Sequence, residues 1–160
     1  MKIPQGVTVR LEGQNIIVKG PQGEIRKTIS KQAKVVVKGD EIEVSSDSKA
    51  LAGTTESIVA SMLKGAVTQY TKNFKLIYAH FPISIEIKGN DITIKNFLGE
   101  KMARKTVLIG NTKIQAKGQA VTVSGPDKEA VGQTIANIRT AMKIKDKDSR
   151  IFQDGIYEVD

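Results

Sequence analysis

One histidine, His80, and no cysteine limit the acid–base and covalent chemistry open to this chain of 160 residues. A Ser-His-Asp arrangement would have to use His80, which sits between Ala79 and Phe81-Pro82 with no nucleophile motif beside it. A structural or merely exposed histidine is the simpler reading. Asp146 and Asp148 are the nearest approach to a carboxylate cluster, but Lys145 and Lys147 alternate with them, as in a solvated, charge-balanced loop. No set of metal ligands occurs at the usual spacing. Neither G-x-x-x-x-G-K-S/T nor G-x-G-x-x-G is present. No catalytic residue, metal, cofactor or small-molecule substrate is therefore expected, and the chain does not read as an enzyme.

What the residues do offer is anion binding. The formal net charge is +8, which points first to nucleic acid and second to an acidic membrane surface. Two stretches concentrate it. Residues 88–118 hold seven cations against Asp91 and Glu100, a net of +5. Residues 139–150 hold Arg139, Lys143, Lys145, Lys147 and Arg150 against Asp146 and Asp148, a net of +3. A lysine-rich solvated face would look similar. Three features favour RNA over that reading. The cations flank turns and tails, where backbone amides are free to meet phosphate. Arg104 and Arg150 can grip phosphate with a forked guanidinium. Phe97 and Phe152 lie inside the basic stretches, where no core is evident for them, although Phe97 and Leu98 could equally cover a sheet edge.

The elements that must position these residues are legible as a duplication. Residues 7–13, VTVRLEG, lie over residues 83–89, ISIEIKG, at an offset of 76. Both alternate as half-buried strands do and both end in a glycine suited to a tight hairpin. The offset persists through Ile16–Lys19 over Ile92–Lys95 and Gly23-Glu24 over Gly99-Glu100, and Phe97 stands where the first copy has Pro21. It then becomes 79, a loop insertion of three residues, placing residues 34–39 over 113–118 and 41–44 over 120–123. A helical pattern follows each copy: Leu51, Ile58, Val59, Met62, Leu63, Ala66, Val67 and Tyr70 in the first, Val131, Ile135, Ile138 and Met142 in the second. Ser46, Asp47 or Ser48 suits the cap of the first, and Gly125-Pro126-Asp127 the start of the second.

The expected fold class is α+β: two tandem duplicated units, each a small, mainly antiparallel sheet of about four strands with one helix packed on it. Residues 1–75 form the first repeat. Residues 76–160 form the second, with a C-terminal tail from about Ile144. Leu76, Ile77 and Tyr78 suggest a bridging strand near the junction. In the tail, "KIKDKD" offers little to a core, while Ile151, Phe152, Ile156 and Tyr157 flank Asp154-Gly155 as two apolar anchors around a turn, held loosely until RNA fixes them. No apolar run reaches the roughly 18 residues a membrane span needs, and Met1-Lys2-Ile3-Pro4 leads into strand pattern with no leader expected.

The stretches "IPQGVTVRLEGQNIIVKGPQGEIRK", "AHFPI", "IKNFLGEK" and "KIKDKDSRIFQDGIYEV" resemble the universal large-subunit ribosomal protein L six family. The last three are most similar to its archaeal and eukaryotic branch. The resemblance covers roughly residues 3–158, although the chain lacks the acidic N-terminal extension of archaeal members and stops soon after "DGIYEV". It implies a duplicated α+β protein that binds large-subunit rRNA, mainly through the second repeat and tail. It implies a place near the factor-binding, GTPase-associated region, with neighbouring ribosomal proteins of the stalk base as partners and translational GTPases close by. Carried onto this chain, the RNA-facing positions would be Lys95, Asn96, Phe97, Gly99, Lys101, Arg104 and Lys105 around the turn. In the tail they would be Lys143, Lys145, Lys147, Arg150, Phe152, Gln153, Asp154, Gly155 and Tyr157. A cytoplasmic, ribosome-bound protein is expected, and the alternative is a basic protein–protein interaction module that binds no RNA.

Overall fold

The computed structural model describes all residues from Met1 to Asp160. It resolves into two compact units, one of residues 1–70 with 126–128 and one of residues 71–125 with 129–160.

The first unit opens with a three-stranded antiparallel sheet, β1 (Thr8–Glu12), β2 (Asn15–Gly20) and β3 (Gly23–Thr28), in that order. A hairpin of β4 (Ala33–Lys38) and β5 (Glu41–Ser46) and the helix α1 (Lys49–Val67) complete it. Ser48 caps α1, its hydroxyl accepting from the Leu51 amide at 3.5 Å. Val59, Met62, Leu63 and Ala66 of the helix join Ile16, Val18, Ile25 and Ile42 in one core. Each of these side chains other than Ala66 contributes about 1.5–3 kcal/mol by leaving water. The helical pattern read from the sequence is too wide: Ile58 and Val67 are exposed and Tyr70 already belongs to the next strand.

The second unit repeats this plan with additions. Its three-stranded sheet is β7 (Ser84–Lys88), β8 (Asp91–Lys95) and β9 (Arg104–Val107). Its hairpin, β10 (Lys113–Lys117) and β11 (Ala120–Gly125), is extended to four strands by β6 (Tyr70–Ile77) and β12 (Gly155–Val159), in the order β10-β11-β6-β12. The helix α2 (Lys128–Ala141) begins directly after Pro126-Asp127, and Val131, Ile135, Ile138 and the following Met142 are all buried, as their spacing predicts.

The fold is α+β with mainly antiparallel sheets, as expected, but each unit divides its strands between two sheets. The strand foreseen at the junction as a bridge is β6, which lies between β11 and β12 and ends at Ile77. The duplication is visible in the backbone itself. Gly13 and Gly89 have φ of +61° and +60°, and Gly39 and Gly118 have +57° and +61°. Each is the first residue of a two-residue hairpin turn, a place that glycine fills without strain.

Candidate RNA-binding surface

The two copies of the β2–β3 type hairpin end differently. In the first, Gly20 pairs with Gly23 across Pro21-Gln22, and the turn lies against the end of α1. The Gln22 amide donates to the Ala66 carbonyl at 3.1 Å. A Cβ on Gly20 would stand 2.6 Å from that carbonyl oxygen, so only glycine allows the approach. The plain turn is thus docked on its own helix.

In the second copy, residues 96–103 separate β8 from β9 as a longer connection. Asn96, Leu98 and Gly99 have φ of +60°, +53° and +73°. Such a conformation costs a non-glycine residue about 1–3 kcal/mol and is held only by its surroundings. The Asn96 side-chain amide donates to the Pro82 carbonyl at 3.0 Å, and the Phe81 ring packs where a Gly99 Cβ would point, at 3.0 Å. His80 is exposed and meets Phe81 edge-on at 4.8 Å between centroids.

Phe97 is 1% exposed. Of the two readings of this ring, open to RNA or covered, the structure has the covered one: the turn folds Phe97 inward, and its partner is Arg104, whose guanidinium lies 4.5 Å from the ring centroid. Arg104 also donates to both carboxylate oxygens of Glu100, at 2.8 and 2.6 Å, and to the Ala141 and Lys143 carbonyls at 2.8 and 2.9 Å. One side chain so closes the turn, covers the Phe97 ring and supplies the cation that the carbonyls at the end of α2 attract. It does for the second unit what the Gln22 amide does for the first, and the basic loop is left outside. Glu100 is held below the ordinary glutamate range by its hydrogen bonds from Arg104, against a smaller opposing effect of burial.

The other cations of this region are not used in this way. Lys101 and Lys105 are exposed and face no acidic partner. Lys95 is paired across the sheet with Glu86 at 2.7 Å. Met102, between Lys101 and Arg104, is 84% exposed, which nothing in its residue type foretells.

The tail runs irregularly from Met142 to Asp154 and then becomes β12, in register with β6 from Gly155 opposite Ile77 to Val159 opposite Asn73. This corrects the reading of two apolar anchors around a turn. Ile156 is buried, but Ile151 is 74% exposed, and backbone pairing with β6 fixes the segment. Lys72 and Glu158 form an ion pair across the two strands. Lys143 and Lys145 are exposed without acidic partners, and Lys147 lies 4.6 Å above the Phe152 ring. Gln153 donates to the Arg150 carbonyl, and its own carbonyl accepts from the Tyr157 hydroxyl at 2.8 Å. Asp154 and Gly155 are buried.

Arg150 pairs only with Asp148, two residues away, at 3.1 Å, and its side chain is 88% exposed. So local and exposed a pair adds little to folding. Arg150→Ala is expected to leave the melting temperature unchanged while weakening RNA binding about tenfold, the loss of one charge-assisted hydrogen bond. A lowered melting temperature with unchanged RNA affinity would make Arg150 a structural residue.

Both hairpins are tied to the end of a helix, the first through the Gln22 amide and the second through Arg104, and only the second carries a longer turn with the exposed Lys101. The family model described as Ribosomal protein L6 matches this chain at residues 3–68 and again at 81–155, once over each copy. The chain belongs to the ribosomal protein L6 family. That is a family of ribosomal proteins and not of enzymes. Among its curated relatives, "Large ribosomal subunit protein uL6" of Methanosphaera stadtmanae is 43% identical, over 99% of this chain and 90% of its own length. The protein of the same name from Staphylothermus marinus is 40% identical, over 99% and 91%. That of Haloquadratum walsbyi is 36% identical, over 98% and 92%. These archaeal relatives agree with the branch that the L6-like motifs of the second half suggest.

Proposed function

We propose that this L6 family member is a structural constituent of the large ribosomal subunit that binds large-subunit rRNA through its second unit, near the factor-binding, GTPase-associated region. The observation that carries the RNA assignment is that the second hairpin and the tail of one unit hold exposed lysines without acidic partners, among them Lys101, Lys105, Lys143 and Lys145. Cations with no internal partner are available to exchange counterions for phosphates. The large-subunit assignment is supported by the relatives, which are large ribosomal subunit proteins, and the location near the GTPase-associated region by resemblance to the family.

Within this reading the proposed RNA contacts divide by role. Lys101, Lys105, Lys143, Lys145, Lys147 and Arg150 meet phosphate. Lys95 does so in competition with Glu86. Phe152, Gln153 and Tyr157 offer ring and amide contacts. Asn96, Phe97, Gly99 and Arg104 position the loop. Gly155 starts β12, and Asp154 just before it lines a groove of the tail.

The protein added to large subunits stripped of it is expected to co-sediment with them at moderate salt and to cross-link to rRNA from residues 101–105 and 143–150. Co-sedimentation with cross-links confined to proteins would favour the basic protein-interaction module instead.

A further inference from the structure

Beside β12 lies a groove of about 400 Å³, in the range of small-ligand sites. Phe152 and Tyr157 line it, both partly exposed, with Lys143 and Lys147 alongside. The Tyr157 ring is fixed by its hydroxyl bond to the Gln153 carbonyl and lies beside Gly155, where a Cβ would be 3.6 Å from the ring.

Asp154 also lines the groove and is the anomaly in it. The residue is only 8% exposed, yet its carboxylate accepts no hydrogen bond and meets no cation within the protein. No partnerless side-chain oxygen or nitrogen is fully closed off, so this carboxylate keeps an opening, and the groove provides one. An ionised carboxylate only accepts hydrogen bonds. Left unpaired in so enclosed a place it is costly, and a ligand that brings donors relieves that cost.

We propose that the groove takes one unpaired nucleotide of the bound RNA and prefers guanine. Aromatic side chains stack on splayed-out bases, whose Watson–Crick edges are then free to be read. Guanine presents N1–H and N2–H side by side, matching the two oxygens of Asp154. Uracil presents one N–H between two carbonyls, which a carboxylate repels. Adenine and cytosine each present one amino group beside an acceptor nitrogen. The phosphate of the same nucleotide falls to Lys143 or Lys147. The proposal rests on the rRNA reading but concerns a contact that phosphate neutralisation alone does not need.

The test is fluorescence anisotropy of the full-length protein with labelled UUGUU, UUAUU, UUCUU and UUUUU. UUGUU is expected to bind about tenfold tighter than UUUUU, as one good two-point base contact gives. Asp154→Asn removes no internal partner, so its melting temperature is expected to hold while the guanine preference vanishes. Phe152→Ala is expected to weaken all four pentamers, since stacking is tolerant of base identity. Equal affinity for the four pentamers, or a guanine preference that survives Asp154→Asn, overturns the proposal. Binding to large-subunit rRNA without any guanine preference would do so while sparing the rRNA reading. A guanine preference in a protein that ignores large-subunit rRNA would sustain the groove and overturn the rRNA reading.

Discussion

Replacing Arg104 with alanine is expected to destabilise the protein by about 2–4 kcal/mol and to weaken rRNA binding with it, although Arg104 faces inward. The effect is large because one guanidinium has four partners: the Glu100 carboxylate, the Ala141 carbonyl, the Lys143 carbonyl and the Phe97 ring. The carboxylate and carbonyls would be left without their donor, and breaking such partly buried networks lies in the upper range of single-mutation effects, about 2–4 kcal/mol. Arg104→Lys keeps the charge but has one nitrogen for the work of three, so it is expected to recover only part of the loss. Binding suffers because Arg104 ties the loop bearing Lys101, and the start of β9 bearing Lys105, to the chain segment that begins the tail. Thermal denaturation and rRNA affinity, measured on the same variant, should fall together. A variant that is fully stable but binds poorly would place Arg104 on the RNA instead.

The pair with Glu100 adds a pH signature. Glu100 has its pKa lowered in the folded protein, chiefly by hydrogen bonds from Arg104. A lowered carboxylate contributes stability above its unfolded pKa, about 4.3 for glutamate, and loses it as pH falls through the folded value. The stability difference between the native protein and Glu100→Gln should therefore be steady at neutral pH and shrink below about pH 4.3.

Gly99→Val is expected to be the next most damaging change. Its φ of +73° is available to glycine and strained for a β-branched residue, and its Cβ position is already occupied by the Phe81 ring at 3.0 Å. Backbone strain of about 1–3 kcal/mol and overpacking of similar size act together. Asn96 and Leu98 already hold left-handed conformations in the same turn, so little slack remains to absorb a third. The strands and helix are not altered, and the variant should keep its circular dichroism while Lys101 and Lys105 are misplaced and rRNA affinity drops tenfold or more. Normal binding by Gly99→Val would show that this turn plays no part in recognition.

Why the turn differs so much from its first copy was only partly readable. Alternation and the paired glycines at 13 and 89, and at 39 and 118, announced the hairpins, because a two-residue turn imposes local rules that a sequence displays. The α2 face was equally plain, since Val131, Ile135, Ile138 and Met142 are all buried. Phe97 stays open in the sequence, between a ring facing RNA and one covering a sheet edge, for the opposite reason. Its burial depends on a turn with three left-handed residues, two of which are not glycine, and no local pattern signals that. Glu100 and Arg104 stand four apart with opposite charge, but outside a helix that spacing has no special meaning. The pairing of β12 with β6 joins segments some eighty positions apart, and a stretch bounded by Asp154-Gly155 reads more readily as a turn. The charge itself was fully legible, and the structure adds which cations are left without partners.

A salt titration tests most directly whether those unpartnered cations bind rRNA phosphates. The full-length protein is titrated onto a large-subunit rRNA transcript over a range of monovalent salt. With about six phosphates neutralised, log affinity should fall against log salt with a slope of about −4 to −5. Changing Lys101, Lys105, Lys143 and Lys145 together to glutamine should make that slope markedly shallower. A flat salt response, or a slope that the four substitutions leave unchanged, would contradict the assignment.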